Sequence, residues 1–414
     1  MKRKIMVVAA LFLLVAPSIF AAGLSSARAV GMGGAHMGLA KGVSATLYNP
    51  ANLGLSDHRE RGLEIAGAGL DIRNNSFTLK DYNQYSGAFL TDEDKSLILG
   101  KIPAEGLKLS AEAEAGALCI SLGSYSLAIN GFAATEINLG KDALELFLNG
   151  NGLNEAFSLS GMYSEAIAYG TISLSYGKSI LRLGTKQLAL GASLKYIRGF
   201  AYEEVTEIYG GVVTLATGFD GEGTMIARTS SGGSGYSLDL GTSLRISDDY
   251  TAGLAISNII NSISWSNETQ EHGYYFRFDA LTLENMDNDS LIVSDDYSID
   301  IPAFKTRLPP IMKVGIAKTS GKFIWAVDWT QGFRLAAASS TKPEISVGTE
   351  YRLFSFLPTR IGYSAGGGKG SILSLGLGID LSLFHIDLAV SNNGTFNISN
   401  SQKIHFALAT GFRF

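Results

Sequence analysis

Residues 372–384 read ILSLGLGIDLSLF, and their side chains alternate without a break. Leu373, Leu375, Leu377, Ile379, Leu381 and Leu383 are large and apolar, whereas Ser374, Gly376, Gly378, Asp380 and Ser382 are small or polar. Successive residues of a strand point to opposite faces, so this run makes a strand with one greasy and one hydrophilic side. The next run repeats it, with Phe384, Ile386, Leu388 and Val390 opposing His385, Asp387, Ala389 and Ser391 after a step short enough for a tight turn. Residues 236–246 do the same: Tyr236, Leu238, Leu240 and Leu244 oppose Ser237, Asp239, Gly241, Ser243 and Arg245. Lys195, Asp328, Glu344, Glu350 and Arg352 also fall on polar faces. Gly, Asn, Asp and Ser punctuate these runs, which is the rhythm of an antiparallel meander. A soluble sandwich would show the same period of two, so what surrounds the greasy face has to be decided from the rest of the chain.

The first two dozen residues point to export. Lys2, Arg3 and Lys4 precede a short apolar core from Ile5 to Val15, Pro17 ends it, and small residues at Ala22 and Gly23 suit cleavage. No other window is apolar for the 18 or more residues that a spanning helix requires. The single cysteine, Cys119, excludes an intrachain disulfide and reads as a small buried residue. Only 17% of the 414 residues are charged, against about 25% in an ordinary soluble domain, and the net charge of -5 comes with no basic stripe, so nucleic acid is excluded as a partner. The chain closes with QKIHFALATGFRF, another alternating strand that ends in Phe412, Arg413 and Phe414. This ending resembles the signal by which bacterial outer-membrane barrels are recognised for insertion. Tyr351, Phe354, Phe356, Tyr363 and Phe414 sit near strand ends, where interfacial girdles form. With export, these features predict an all-β fold, a transmembrane antiparallel up-and-down β-barrel in the outer membrane, because a closed barrel satisfies every lipid-facing backbone group. About fifteen candidate runs are present, and single-chain barrels use even numbers.

Residues 25–55, SSARAVGMGGAHMGLAKGVSATLYNPANLGL, are neither strand-like nor polar enough for a loop, and read as a compact plug. This segment resembles the N-terminal hatch of the FadL type of outer-membrane protein, in which an Asn-Pro-Ala turn, here Asn49, Pro50 and Ala51, precedes the first strand. It is most similar to the branch that contains the secretion barrel PorV. LALGASLKYIRG, GYSLDLGTSLRI, LPPIMKVGIA and LPTRIGYS look like strands of that branch, so the resemblance spans nearly the whole mature chain. It implies about 14 strands and a lumen plugged by the hatch. The expected organisation is a signal peptide over residues 1–23, a hatch over 24–60 and a barrel over 61–414, with a long acidic loop near 268–300. Gly31, Gly33 and Gly34 would let the hatch rearrange. Lys195, Asp239, Arg245, Asp328 and Glu344, with Glu350, Arg352, Asp380 and Asp387, would form a polar network in the lumen. Phe412 and Phe414 would serve insertion by the barrel-assembly machinery. The resemblance implies transport of a small hydrophobic ligand; its PorV-like side implies instead a barrel that binds secretion or surface proteins.

Two short helices are expected outside the wall. Residues 91–102 offer Thr91 as an N-cap followed by acids, and residues 141–150 end in Asn149-Gly150. Catalytic and cofactor chemistry finds no support. GGGKGS at 366–371 lacks the order of a phosphate loop, GMGG at 31–34 lacks the third glycine of a dinucleotide site, and His36, His58, His272, His385 and His405 are scattered without metal-ligand spacing. No cofactor and no enzymatic activity are expected.

Overall fold

The computed structural model describes residues 26–414 apart from 151, 283, 286–290, 338 and 396. The expected signal peptide, and Asp287 and Asp289 of the acidic segment, lie outside the described residues. Nineteen strands form one sheet, and fourteen of them close into an antiparallel barrel. In chain order these are β1 (Arg61–Asn74), β2 (Leu107–Leu122), β3 (Tyr125–Leu139), β5 (Tyr163–Leu183), β6 (Lys186–Leu215), β8 (Gly232–Arg245) and β9 (Tyr250–Asn267). The ring continues through β13 (Ile311–Ser320), β14 (Phe323–Gly332), β15 (Glu344–Phe354), β16 (Leu357–Gly366), β17 (Ser371–Asp380), β18 (Phe384–Asn392) and β19 (Lys403–Arg413). The seam is made by β19 against β1, from Gly62 opposite Arg413 to Arg73 opposite Lys403, with one slip between Glu64 and Ala66. Phe412 packs on Phe384 with ring centroids 5.4 Å apart, and the Phe414 N–H donates to Arg61 O. The carboxy-terminal strand thus closes the wall.

The predicted faces hold in three dimensions. Leu375 and Leu377 are 44% and 46% exposed on the outside, while Ser374 is 2% exposed on the inside. At one end the turns, such as residues 123–124, 184–185 and 321–322, are short; at the other the connections are long, which identifies the first as periplasmic and the second as extracellular. Helices Leu79–Tyr85, Asp92–Lys101 and Lys141–Asn149 crown the extracellular end. The expected Thr91 cap is a full capping box with Asp94. Leu99, Ile102 and Leu107 pack there with Leu144 and Leu148.

Residues 268–300 are not a long loop. They contain β10 (Gln270–Leu281) and β11 (Ile292–Asp300), which with β7 (Gly218–Ser230) and the outer half of β6 make a sheet standing on the barrel. Phe276 and Phe278 lie over Gly223 and Gly221 of β7, so the segment has packing partners that its acidic composition hid. Asp295 and Asp296 are on β11, which is paired on one side only, where carboxylates stay hydrated. Short strands β4 (Ala156–Ser158) and β12 (Phe304–Thr306) pair antiparallel with the outer parts of β6 and β9.

The two faces predict opposite tolerances. Leu375→Arg should lower barrel stability by about 2 to 4 kcal/mol near the bilayer midplane, while Ser374→Arg, which opens into the lumen, should cost less. Urea unfolding in lipid vesicles measures both, and equal costs would contradict the assigned facing.

Candidate functional site: the plugged lumen

The lumen is occupied by the segment before β1. Its parts are helix Ala27–Gly31, helix Val43–Tyr48 and a 3-10 turn at Pro50–Gly54. Ser26 caps the first helix through Ala29 N, and Pro50 starts the 3-10 turn with Asn49 as its cap. Small residues dominate because the backbone itself has to touch the wall. Gly177, Gly191, Gly241 and Gly253 present bare Cα atoms to Pro50, Ala51, Asn49 and Met37. Gly315, Gly348, Gly362 and Gly376 do the same for Met37, Met32, Gly33 and Gly31. Register makes this a belt: Gly177 opposes Gly191, Gly191 opposes Gly241, Gly253 opposes Gly315, and Gly348 opposes Gly362. Ala389 and Ala407 continue it and pack on Ala27.

Polar side chains hold the seated backbone. Asp328 accepts from the N–H groups of His36 and Met37 at 2.7 and 2.8 Å. Asn49 donates to Thr242 O and Ser243 Oγ and accepts from Ala51 N. Asn52 donates to Met37 O and Ala40 O, and Gln187 donates to Gly54 O. Arg28 meets Glu350 at 2.8 Å; Glu350 also meets Arg360 at 2.7 Å, and Arg360 reaches Asp387. His36 lies edge-on to Tyr48 with its Nδ1 unpartnered among the described residues. Burial, and then the charge of Arg28, press its pKa well below the usual histidine value.

Behind the hatch the wall itself is interrupted. The β2–β3 ladder slips between Gly116 and Ile120, Leu118 takes a positive φ of 53°, and Cys119 is buried there against Val43 and Ala128. On the extracellular side of the hatch lies a cavity of about 390 Å³, and on its periplasmic side one of about 230 Å³.

The residues expected to form one lumen network fall into separate groups. Glu350 and Asp387 share Arg360, and Asp380 binds Arg352 and Arg413. Lys195 pairs with Asp239 at 2.6 Å, and Arg245 lies at the periplasmic rim beside Asp57 and Asp248. Asp328 carries the hatch, whereas Glu344 lines the larger cavity. Gly33 and Gly34 adopt φ values of 68° and 92°, while Gly31 is helical and is needed for close approach to Gly376. Arg28, Asn52, Gln187, Arg360 and the belt glycines were not singled out in the sequence. Arg360 was within reach, since it shares the inward face with Gly362 in LPTRIGYS.

A closed fourteen-strand barrel, greasy outside and plugged from its N-terminal side, is an outer-membrane protein of bacteria. The chain belongs to the family described as F plasmid transfer operon, TraF, protein, whose model matches residues 46–329. Its fold is similar to that of the Ralstonia pickettii toluene transporter TbuX, with 14% identity and a TM-score of 0.52 over 95% of this chain and 98% of that one. It is also similar to the P. putida toluene transporter TodX, with 12% identity and a TM-score of 0.50 over 93% and 97%. A TodX deltaS2S3 mutant, titled a monoaromatic hydrocarbon channel, gives 13% and 0.54 over 94% and 98%. The likeness to these channels is one of fold. No protein among the curated ones matches the chain in sequence.

Two outcomes test this packing. Gly191→Val places methyl groups where Ala51 N sits; it should cost about 1 to 3 kcal/mol and raise single-channel conductance by unseating the hatch. Gly100→Ala, which meets open space, should do neither. His36 should make seating pH-dependent. Its pKa is depressed by burial and by the charge of Arg28, so once Arg28 leaves with its helix the ring binds the extra proton below about 6.5. Seating is fully favoured above that pH and weakens as pH falls through it. Conductance should rise between pH 7 and pH 5 in the native chain and stay flat in His36→Phe.

Proposed function

We propose that the protein is a FadL-like transporter that carries small hydrophobic molecules across the outer membrane, with the hatch as its gate. Such molecules cross the charged lipopolysaccharide leaflet poorly, and a protein path with an apolar pocket overcomes that barrier. The observation that carries this reading is the divided lumen. The 390 Å³ cavity has an apolar wall of Phe132, Ile167, Tyr169, Leu308 and Ile311, adjoining a packed cluster around Trp265, Tyr202 and Phe304. The toluene transporters that share the fold agree with it by their names.

In this reading the moving part is helix Ala27–Gly31. It rests on small residues of β17, β18 and β19, near both cavities: Val30 lines the upper one and Arg28 the lower. Its charged latch is Arg28 on Glu350. When Arg28 leaves, Glu350 keeps Arg360, so no buried carboxylate is stranded. Residues 49–55 are instead fixed by Asn49, Asn52 and Gln187. Gly33 and Gly34 supply the joint. Insertion through β19 and its terminal aromatics by the barrel-assembly machinery belongs to the same proposal.

A hydrogen-bonded charge contact is worth about 1.5 to 3 kcal/mol, so Arg28→Met should raise the open fraction of the channel about tenfold or more, while deletion of residues 25–52 should leave a folded barrel with permanently higher conductance. A channel that stays closed after the deletion would mean that wall side chains or inward loops fill the lumen, and the hatch would have no gating role.

One feature favours the second reading, a PorV-like barrel that binds secretion or surface proteins. The outer sheet ends in β11, whose outer edge pairs with no strand among the described residues. Removal of residues 268–300 with hydrophobic uptake intact but a surface partner lost would support it.

A further inference from the structure

The larger cavity has an electrical polarity that a site for plain hydrocarbons does not require. Its acids lie on one arc of the wall: Glu112 and Glu114 on β2 and Glu165 on β5. Its lysines lie on the other: Lys313 on β13, Lys369 in the β16–β17 turn and Lys403 on β19. Glu344 is the exception on the basic side. The arcs meet at one junction, where Lys403 and Arg73 neutralise Asp71 and Arg73 also meets Glu112. Away from that junction, titratable side chains are left without an ion-pair partner. Among the described residues Lys313 and Lys369 form no ion pair, and Lys313 lies over the Tyr48 ring at 4.8 Å. Glu114 is 5% exposed with Oε1 unpartnered, and His405 is 6% exposed with Nε2 unpartnered. Between the arcs lies the apolar wall, where Phe132 and Tyr169 pack at 5.1 Å.

We propose that this cavity binds a zwitterionic amphiphile, a small molecule carrying an ammonium and an acid group on an apolar body. The ammonium faces Glu114, the acid group faces Lys313 and Lys369, and the body lies on Phe132, Tyr169 and Leu308. A hydrocarbon would cover these charged groups and give them no partner, at the cost of their desolvation. A ligand of one charge satisfies one arc and leaves the other bare. A dipolar ligand satisfies both and is oriented by the field between walls of low dielectric. The inference rests on the transport reading and narrows its ligand class.

Four probes share one aromatic body: 4-(aminomethyl)phenylacetate, with a charge at each end of the ring, 4-methylphenylacetate, 4-methylbenzylamine and the neutral 4-methylbenzyl alcohol. Isothermal titration of the mature full-length protein in mild detergent should give the zwitterion about tenfold or more tighter binding than each of the others. Glu114→Gln should weaken the zwitterion and the amine while sparing methylphenylacetate, and Lys313→Met should weaken the zwitterion and methylphenylacetate while sparing the amine. The unchanged probe in each variant reports that the cavity is intact. The alcohol binding as tightly as the zwitterion would overturn the zwitterion assignment and leave the hydrophobic-transport reading standing. No binding of any probe would overturn both.

Discussion

The structure depends on how closely two backbones can approach inside a closed cylinder. At the level of the hatch the wall gives up side chains strand after strand, and Gly177, Gly191, Gly348 and Gly362 let main chain rest on main chain. Glycine in a strand is unfavourable by itself, weakening pairing and offering nothing to pack. Its repeated presence here is explained only by what lies against it. The same constraint sets the composition of the hatch, since a plug of bulky residues would not fit a barrel of fourteen strands. It also explains why so many hatch contacts use backbone N–H and C=O groups, which a tightly seated segment must satisfy without water.

Much of this architecture was legible in one dimension because lipid on one side and a wet lumen on the other impose strict alternation. Leu375 against Ser374 and Leu408 against Ala409 are enough to set facing and register. The Asn49-Pro50-Ala51 turn was legible through its resemblance, and the structure shows why those residues suit it: Asn49 caps the turn with one amide atom and binds β8 with the other. The belt was not legible. A glycine such as Gly376 looks like any small lumen residue until Gly31 is placed against it. The outer sheet was missed for a related reason. β10 and β11 carry acids that water alone would hold, and the pairing of β10 with β7 brings Phe276 and Phe278 over distant glycines, contacts that no local pattern encodes.

Charge inside the barrel is organised by height. Near the periplasmic rim, Arg245, Arg352 and Arg413 are matched by Asp57 and Asp380. At the hatch, Arg28, Glu350, Arg360 and Asp387 form a closed chain of pairs. Above it, acids and lysines separate to opposite walls. Matched pairs serve to hold protein against protein; unmatched ones remain where protein faces a space.

β6 joins these levels in a single strand. Its 30 residues span roughly 100 Å of chain, far more than the 9 to 11 residues that cross a bilayer. Gly191, near its base, seats the hatch, while its tip supports β7 and through it β10 and β11. A strand held on both sides by ladders of hydrogen bonds resists stretching, and its ladders slip at Phe200 against β5 and between Val205 and Glu207 against β7, where the barrel wall passes into the outer sheet. The outer sheet is therefore joined through one continuous strand to the wall beneath the plug. A force applied to it at the cell surface is delivered to the strand on which the plug rests.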